Sequence, residues 1–148
     1  MGLSLIELMV VVSIIAVLAL IAVPFTQAWV YDTQINDAKS QLNRAYTHTK
    51  ALALRNPVDT RGDSNSAACV SLTNNTLEVR QPNGSACSGA VIWQDSWPEG
   101  VQLTSNNAAL TAIFINNRGQ VLINSTPINT NLDYALSKGS ANDTGQLY

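Results

Sequence analysis

"GLSLIELMVVVSIIAVLALIAVP" (residues 2–24) carries one acidic side chain, Glu7, within a run that is otherwise built for an apolar medium. From Leu8 to Val23 every residue except Ser13 is apolar. As an α-helix that run covers about 24 Å at 1.5 Å per residue, short of a bilayer core of roughly 30 Å. Adding Leu3 to Ile6 supplies the missing length, but it takes Glu7 into or near the membrane. An ionised carboxylate left unpaired there costs several kcal/mol or more.

Three readings compete. A cleaved secretory signal requires a basic n-region and a small-x-small cleavage site; the basic region is missing and no convincing Ala-x-Ala site precedes the polar part. An ordinary transmembrane anchor accounts for the hydrophobicity and leaves Glu7 unexplained. In the third reading Glu7 is paired: cleavage after Gly2 makes a new amino terminus at Leu3, one helical turn from Glu7 and equally accessible from a neighbouring subunit. A charge pair of this kind sets register, because a mispaired buried carboxylate is what costs.

Gly2, Ser4, Leu5, Ile6, Glu7 and Leu8, followed by an apolar helix that reaches Pro24, resemble the N-terminal signature of type IV pilins and type II secretion pseudopilins. The resemblance covers about the first third of the chain. Leu3 stands where that family most often has Phe, and Met1 alone precedes Gly2; the resemblance implies a precursor with further Lys or Arg residues holding its N-terminus on the cytoplasmic side. It also implies cleavage after Gly2 by a prepilin peptidase, N-methylation of Leu3, and pairing of Glu7 with the terminal amine of an adjacent subunit. Some tip subunits of such filaments lack this glutamate, so its presence points to a subunit with a neighbour above it. The implied partners are other pilin or pseudopilin subunits, the inner-membrane assembly platform, and the membrane before assembly. The implied location is the bacterial inner membrane, as a single-pass protein, and then a periplasmic or cell-surface filament.

Pro24 removes one backbone donor and can kink the helix without ending it. Beyond it Ile35, Ala38, Leu42, Ala45, Thr49 and Leu52 recur at alternating three and four, with Asp32, Lys39, Asn43 and Lys50 on other faces. That is an amphipathic helix with one core-facing stripe, and Asn56-Pro57 stops it. Two helices jointed at Pro24 are the alternative to one long one. Tyr46 and Trp29 read as packing or interfacial aromatics.

After Pro57 the period becomes two. In "CVSLTNNTLEVR" (residues 69–80), Val70 and Leu72 face Leu77 and Val79 across an Asn74-Asn75 turn, a hairpin pattern. "AVIWQ", "GVQLTS" and "LTAIFINNRGQVLIN" continue the series, with Asn117-Arg118-Gly119 as a second turn, and "LDYALS" supplies the final strand. The layout is residues 1–2 as a leader remnant, 3–56 as one long helix (3–24 for membrane or filament core, 25–56 amphipathic) and 57–148 as a globular β domain. The fold class is α+β and pilin-like, with six or seven antiparallel strands against the helix stripe.

The chain has two cysteines, Cys69 and Cys87. Their number suggests one disulfide in an oxidising compartment, worth roughly 3 kcal/mol in the chain-entropy model; two free thiols in a cytosolic protein are the alternative. A disulfide at the start of the β domain, rather than near its C-terminus, resembles the minor-pilin and pseudopilin-H branch. "ALALRNPV" and "IFINNRGQV" resemble that branch more loosely.

The formal net charge is −2 and the eight Lys and Arg residues are scattered, which is no nucleic-acid footprint. The tail "SKGSANDTGQLY" holds a single lysine, and no direct nucleic-acid binding is expected. His48 is the only histidine. No nucleophile–base–orienter set, phosphate loop or acid pair stands out; no enzymatic activity, cofactor or metal is expected. Arg61-Gly62-Asp63 in a polar loop, the Asp59, Asp63 and Asn65 group, and the Asn-x-Ser/Thr triplets read as surface chemistry. Trp93, Asp95 and Trp97 read as core and loop packing.

The sequence therefore points to a minor pilin of a type IV pilus or related filament. A type II secretion pseudopilin and a major pilin are the near alternatives, and a membrane-anchored periplasmic binding module is the remote one.

Overall fold

A computed structural model describes residues 4–148, with the side chains of residues 21–25 outside the description. One helix, α1 (Leu5–Arg55), runs 51 residues without a break and passes through Pro24. It ends where Asn56 takes a left-handed conformation at φ 47° and donates its backbone N–H to the carbonyls of Leu52 and Ala53, with Pro57 unable to extend it. Its second half buries Ile35, Ala38, Leu42, Ala45, Tyr46, Thr49 and Ala53. Thr49 is tolerated there because its hydroxyl donates to the Ala45 carbonyl at 2.7 Å, which satisfies the one polar group the position buries.

Ten strands follow: β1 (Ser66–Thr73), β2 (Thr76–Arg80), β3 (Val91–Ser96), β4 (Gln102–Ser105), β5 (Ala108–Ala109), β6 (Ala112–Asn116), β7 (Val121–Ile123), β8 (Thr126–Pro127), β9 (Leu132–Lys138) and β10 (Ala141–Leu147). They form two antiparallel sheets, ordered β3-β2-β1-β6-β7-β8 and β10-β9-β4-β5. Both sheets lie against the second half of α1. The first contributes a cross-strand row of Val79, Val70 and Ile113, the second Leu103, Tyr134, Leu136 and Leu147, all in one core with Ile35 and Leu42. Alternation puts every second residue of these strands inward, so a single helical stripe organises both sheets.

The abundance of asparagine has a structural reason. Three two-residue hairpin loops, Asn74-Asn75, Asn106-Asn107 and Asn124-Ser125, hold both residues at φ between 49° and 62°. That is the geometry of a type I′ turn, which asparagine tolerates better than most side chains. Asn116, fully buried, closes the β6–β7 turn: its amide oxygen accepts the N–H groups of Arg118 and Gln120 at 3.0 and 2.9 Å. Its amide nitrogen donates to the Asp63 carbonyl and to Gln120 Oε1, each at 3.0 Å.

The strand count of six or seven and the placement of the last strand at "LDYALS" are corrected by the structure. That segment is β9, and the supposed tail returns as β10, paired with β9 over its whole length. Its inward positions are Ala141, Asp143, Gly145 and Leu147, a row with little apolar signal. The row is completed by its neighbours: Tyr134 lies over Gly145, where a Cβ would strike its ring, and Lys39 meets Asp143.

Candidate functional site

The helix start is built by Ser4 and Glu7. Ser4 stands outside the helix at φ −69°, ψ 143°; its hydroxyl accepts the N–H of Ile6 at 3.3 Å, and the Glu7 carboxylate accepts the Ser4 N–H at 3.4 Å. The Ser-x-x-Glu spacing is a capping box, and an anion in the first turn sits where the helix dipole favours it. Glu7 thus has a partner within its own chain. Gly2 and Leu3, expected at the leader cleavage and at the methylated terminus, lie outside the described residues. So does the side chain of Pro24, expected at a helix kink; the backbone there stays helical.

Between Leu5 and Leu20 the large apolar side chains face outward on every side of α1. Even Val11, the least accessible of them, is 48% exposed, and Leu20 is 78% exposed. Trp29 and Val30 continue the exposed surface at 72% and 43%; Tyr31 is half-buried against the core, and full burial begins at Ile35. Among the described residues no helix is long and apolar enough to cross a membrane.

Charged side chains gather instead around the β domain. Lys39 and Asp143 meet at 2.7 Å, Arg44 and Asp95 at 3.1 Å, Arg80 and Glu78 at 2.8 Å, and Arg118 and Asp63 at 2.7 Å. The hydrogen bond from the Lys39 ammonium, followed by partial burial working against it, leaves the Asp143 carboxyl below its ordinary range. The same bond holds Lys39 above its own, while burial raises the phenols of Tyr46 and Tyr134. No protein-family model, curated protein or solved structure matches this chain.

Cys69 and Cys87 form a disulfide across 18 positions. It fastens the loop between β2 and β3 to β1, and Arg80 adds a second tie by donating to the Gly89 carbonyl at 2.9 Å. Trp97 is core, its indole N–H bound to the Val101 carbonyl at 2.8 Å. Trp93 stacks on the exposed His48 with ring centres 5.1 Å apart, beside the Arg44–Asp95 pair. Arg61 pairs with Asp59 at 3.3 Å and Asp63 with Arg118, so the Arg-Gly-Asp segment directs its two charges at other partners. No cluster of three His, Cys, Asp or Glu side chains with metal-binding geometry occurs among the described residues.

Sequence reasoning missed the Ser4–Glu7 box, whose three-residue spacing was legible, and the Lys39–Asp143 tie, which was not. Lys39 and Asp143 lie 104 positions apart, and nothing in either neighbourhood announces the other.

Proposed function

We propose that this chain is a non-catalytic filament subunit, a minor pilin of a type IV pilus or related filament. It is cut after Gly2 by a prepilin peptidase, methylated at Leu3, held in the bacterial inner membrane by the apolar segment 3–24, part of which lies outside the described residues, and moved by an assembly platform into a periplasmic or cell-surface filament. The observation that carries this reading is the all-round exposure of apolar side chains from Leu5 to Leu20 on a helix whose later turns are buried in a β domain. Each such side chain gains roughly 1.5–3 kcal/mol on leaving water. A helix that is apolar all round belongs in lipid or among other helices.

Glu7 gives that surface direction. In the single chain its carboxylate is held by Ser4; during assembly the amine at Leu3 of an adjacent subunit replaces this weak partner with an opposite charge. A subunit in the wrong register leaves the carboxylate unpaired in an apolar core, a penalty of about 3–5 kcal/mol. The Cys69–Cys87 bond near the start of the β domain favours a minor pilin or an H-type pseudopilin of type II secretion over a major pilin.

Replacing Glu7 with Ala or Gln in the native host tests this reading. Recovery in sheared filaments falls by at least about tenfold, while the membrane-bound amount and the disulfide are unchanged. Equal recovery of the variants in sheared filaments favours a membrane-anchored binding module in which Glu7 is incidental.

A further inference from the structure

A cleft of about 280 Å³ opens on the side of the first sheet away from α1. Its floor is apolar: Phe114 on β6 and Leu122 on β7, which are cross-strand partners and point away from the core that takes Ile113 and Ile115. Its rim is polar and uncharged. Ser64 precedes β1, Ser85 tops the loop fastened by Cys69–Cys87, and Asn124 and Ser125 form the β7–β8 turn. No Asp, Glu, Lys or Arg lines it. None of those four rim side chains makes a hydrogen bond to another described residue, so their hydroxyl and amide groups are free for a ligand.

We propose that this cleft binds a neutral saccharide unit. An aromatic face flanked by uncharged donors and acceptors suits a pyranose ring, whose C–H face packs on Phe114 while its hydroxyls pair with serine hydroxyls and an asparagine amide, groups that both donate and accept. The volume lies just below the roughly 300–1,000 Å³ typical of small-ligand sites, enough for one ring or the end of a longer glycan. An anionic sugar finds no cation on the rim to compensate its desolvation. The disulfide fixes the Ser85 wall relative to β1, so the site is largely formed before the ligand arrives. The proposal stands whether or not the chain enters a filament.

The full-length protein, solubilised in a mild detergent, is applied to an array of neutral and sialylated or uronate-containing oligosaccharides, and any glycan retained is titrated by calorimetry. Retention is expected among neutral glycans. Ser85→Trp, which fills the cleft from an exposed loop, and Phe114→Leu, which keeps the floor apolar but removes the ring, each weaken that binding at least about tenfold, a difference of 1.4 kcal/mol. Thermal unfolding establishes that both variants are folded. No retained glycan, retention confined to acidic glycans, or binding undiminished in both folded variants overturns the proposal.

Discussion

Lys39 Nζ, on the helix, lies 2.7 Å from Asp143 Oδ2 on the last strand. This ion pair fixes the strand least evident in the sequence to the element most evident in it. Both side chains keep about a third or more of their surface in water, at 40% and 32%, so solvent screening limits the pair to less than about 1 kcal/mol.

Its pH dependence has a definite sign. Asp143 is depressed below its ordinary value of 3.8, chiefly by the hydrogen bond from Lys39. Its stabilisation is therefore full above the unfolded-state value and fades as pH falls through the lower folded value. Lys39 is raised above 10.5, chiefly by the same bond, and its share is full below the unfolded-state value and fades as pH rises through the higher folded one. Urea unfolding of Asp143→Asn is expected to show a deficit below about 1 kcal/mol at neutral pH that closes in strong acid.

Leu42 is fully buried on the helix stripe, whereas Leu54, one residue before the helix end, is 59% exposed. Leu42→Ala is expected to cost about 2–5 kcal/mol, and Leu54→Ala to remain within about 0.5 kcal/mol. Equal effects in chemical denaturation would mean that the two sheets do not rest on this stripe.

Gly139 turns β9 into β10 at φ +56°, and a Cβ there would stand 2.6 Å from the Tyr31 ring. Gly84 has a similar φ of +61° but open space around it. Both alanine variants bear backbone strain of roughly 1 kcal/mol. Gly139→Ala adds a clash and is expected to lower the melting temperature clearly more than Gly84→Ala.

Removing the Cys69–Cys87 bond with a double serine variant is expected to cost about 3 kcal/mol. Reductant should reproduce the loss in the wild-type chain and leave the variant unaffected, as read by denaturant midpoints with and without dithiothreitol.

The parts of the fold legible in the sequence are those whose signal is local. Ile35, Ala38, Leu42, Ala45 and Thr49 keep helical spacing over four turns, and all are buried. Val70 and Leu72 do face Val79 and Leu77 across Asn74-Asn75, because a two-residue turn fixes the register of the strands it joins. The two-residue strands β5 and β8 are too short for any period to show. In β10 the inward row of Ala141, Asp143, Gly145 and Leu147 owes its place to Lys39, Tyr134 and a full-length partner strand. At the candidate site, Glu7 was conspicuous as a charge in an apolar run. The cleft over Phe114 was not, since its rim comes from three loops that only folding brings together.

The central claim, that the exposed helix is a processed assembly surface, is tested most directly by the intact mass and N-terminal sequence of the native protein from membrane and sheared-filament fractions. A chain beginning at Leu3 with one added methyl group in both fractions is the predicted result. A chain cut near Ala22 or later, or not cut at all, would contradict it.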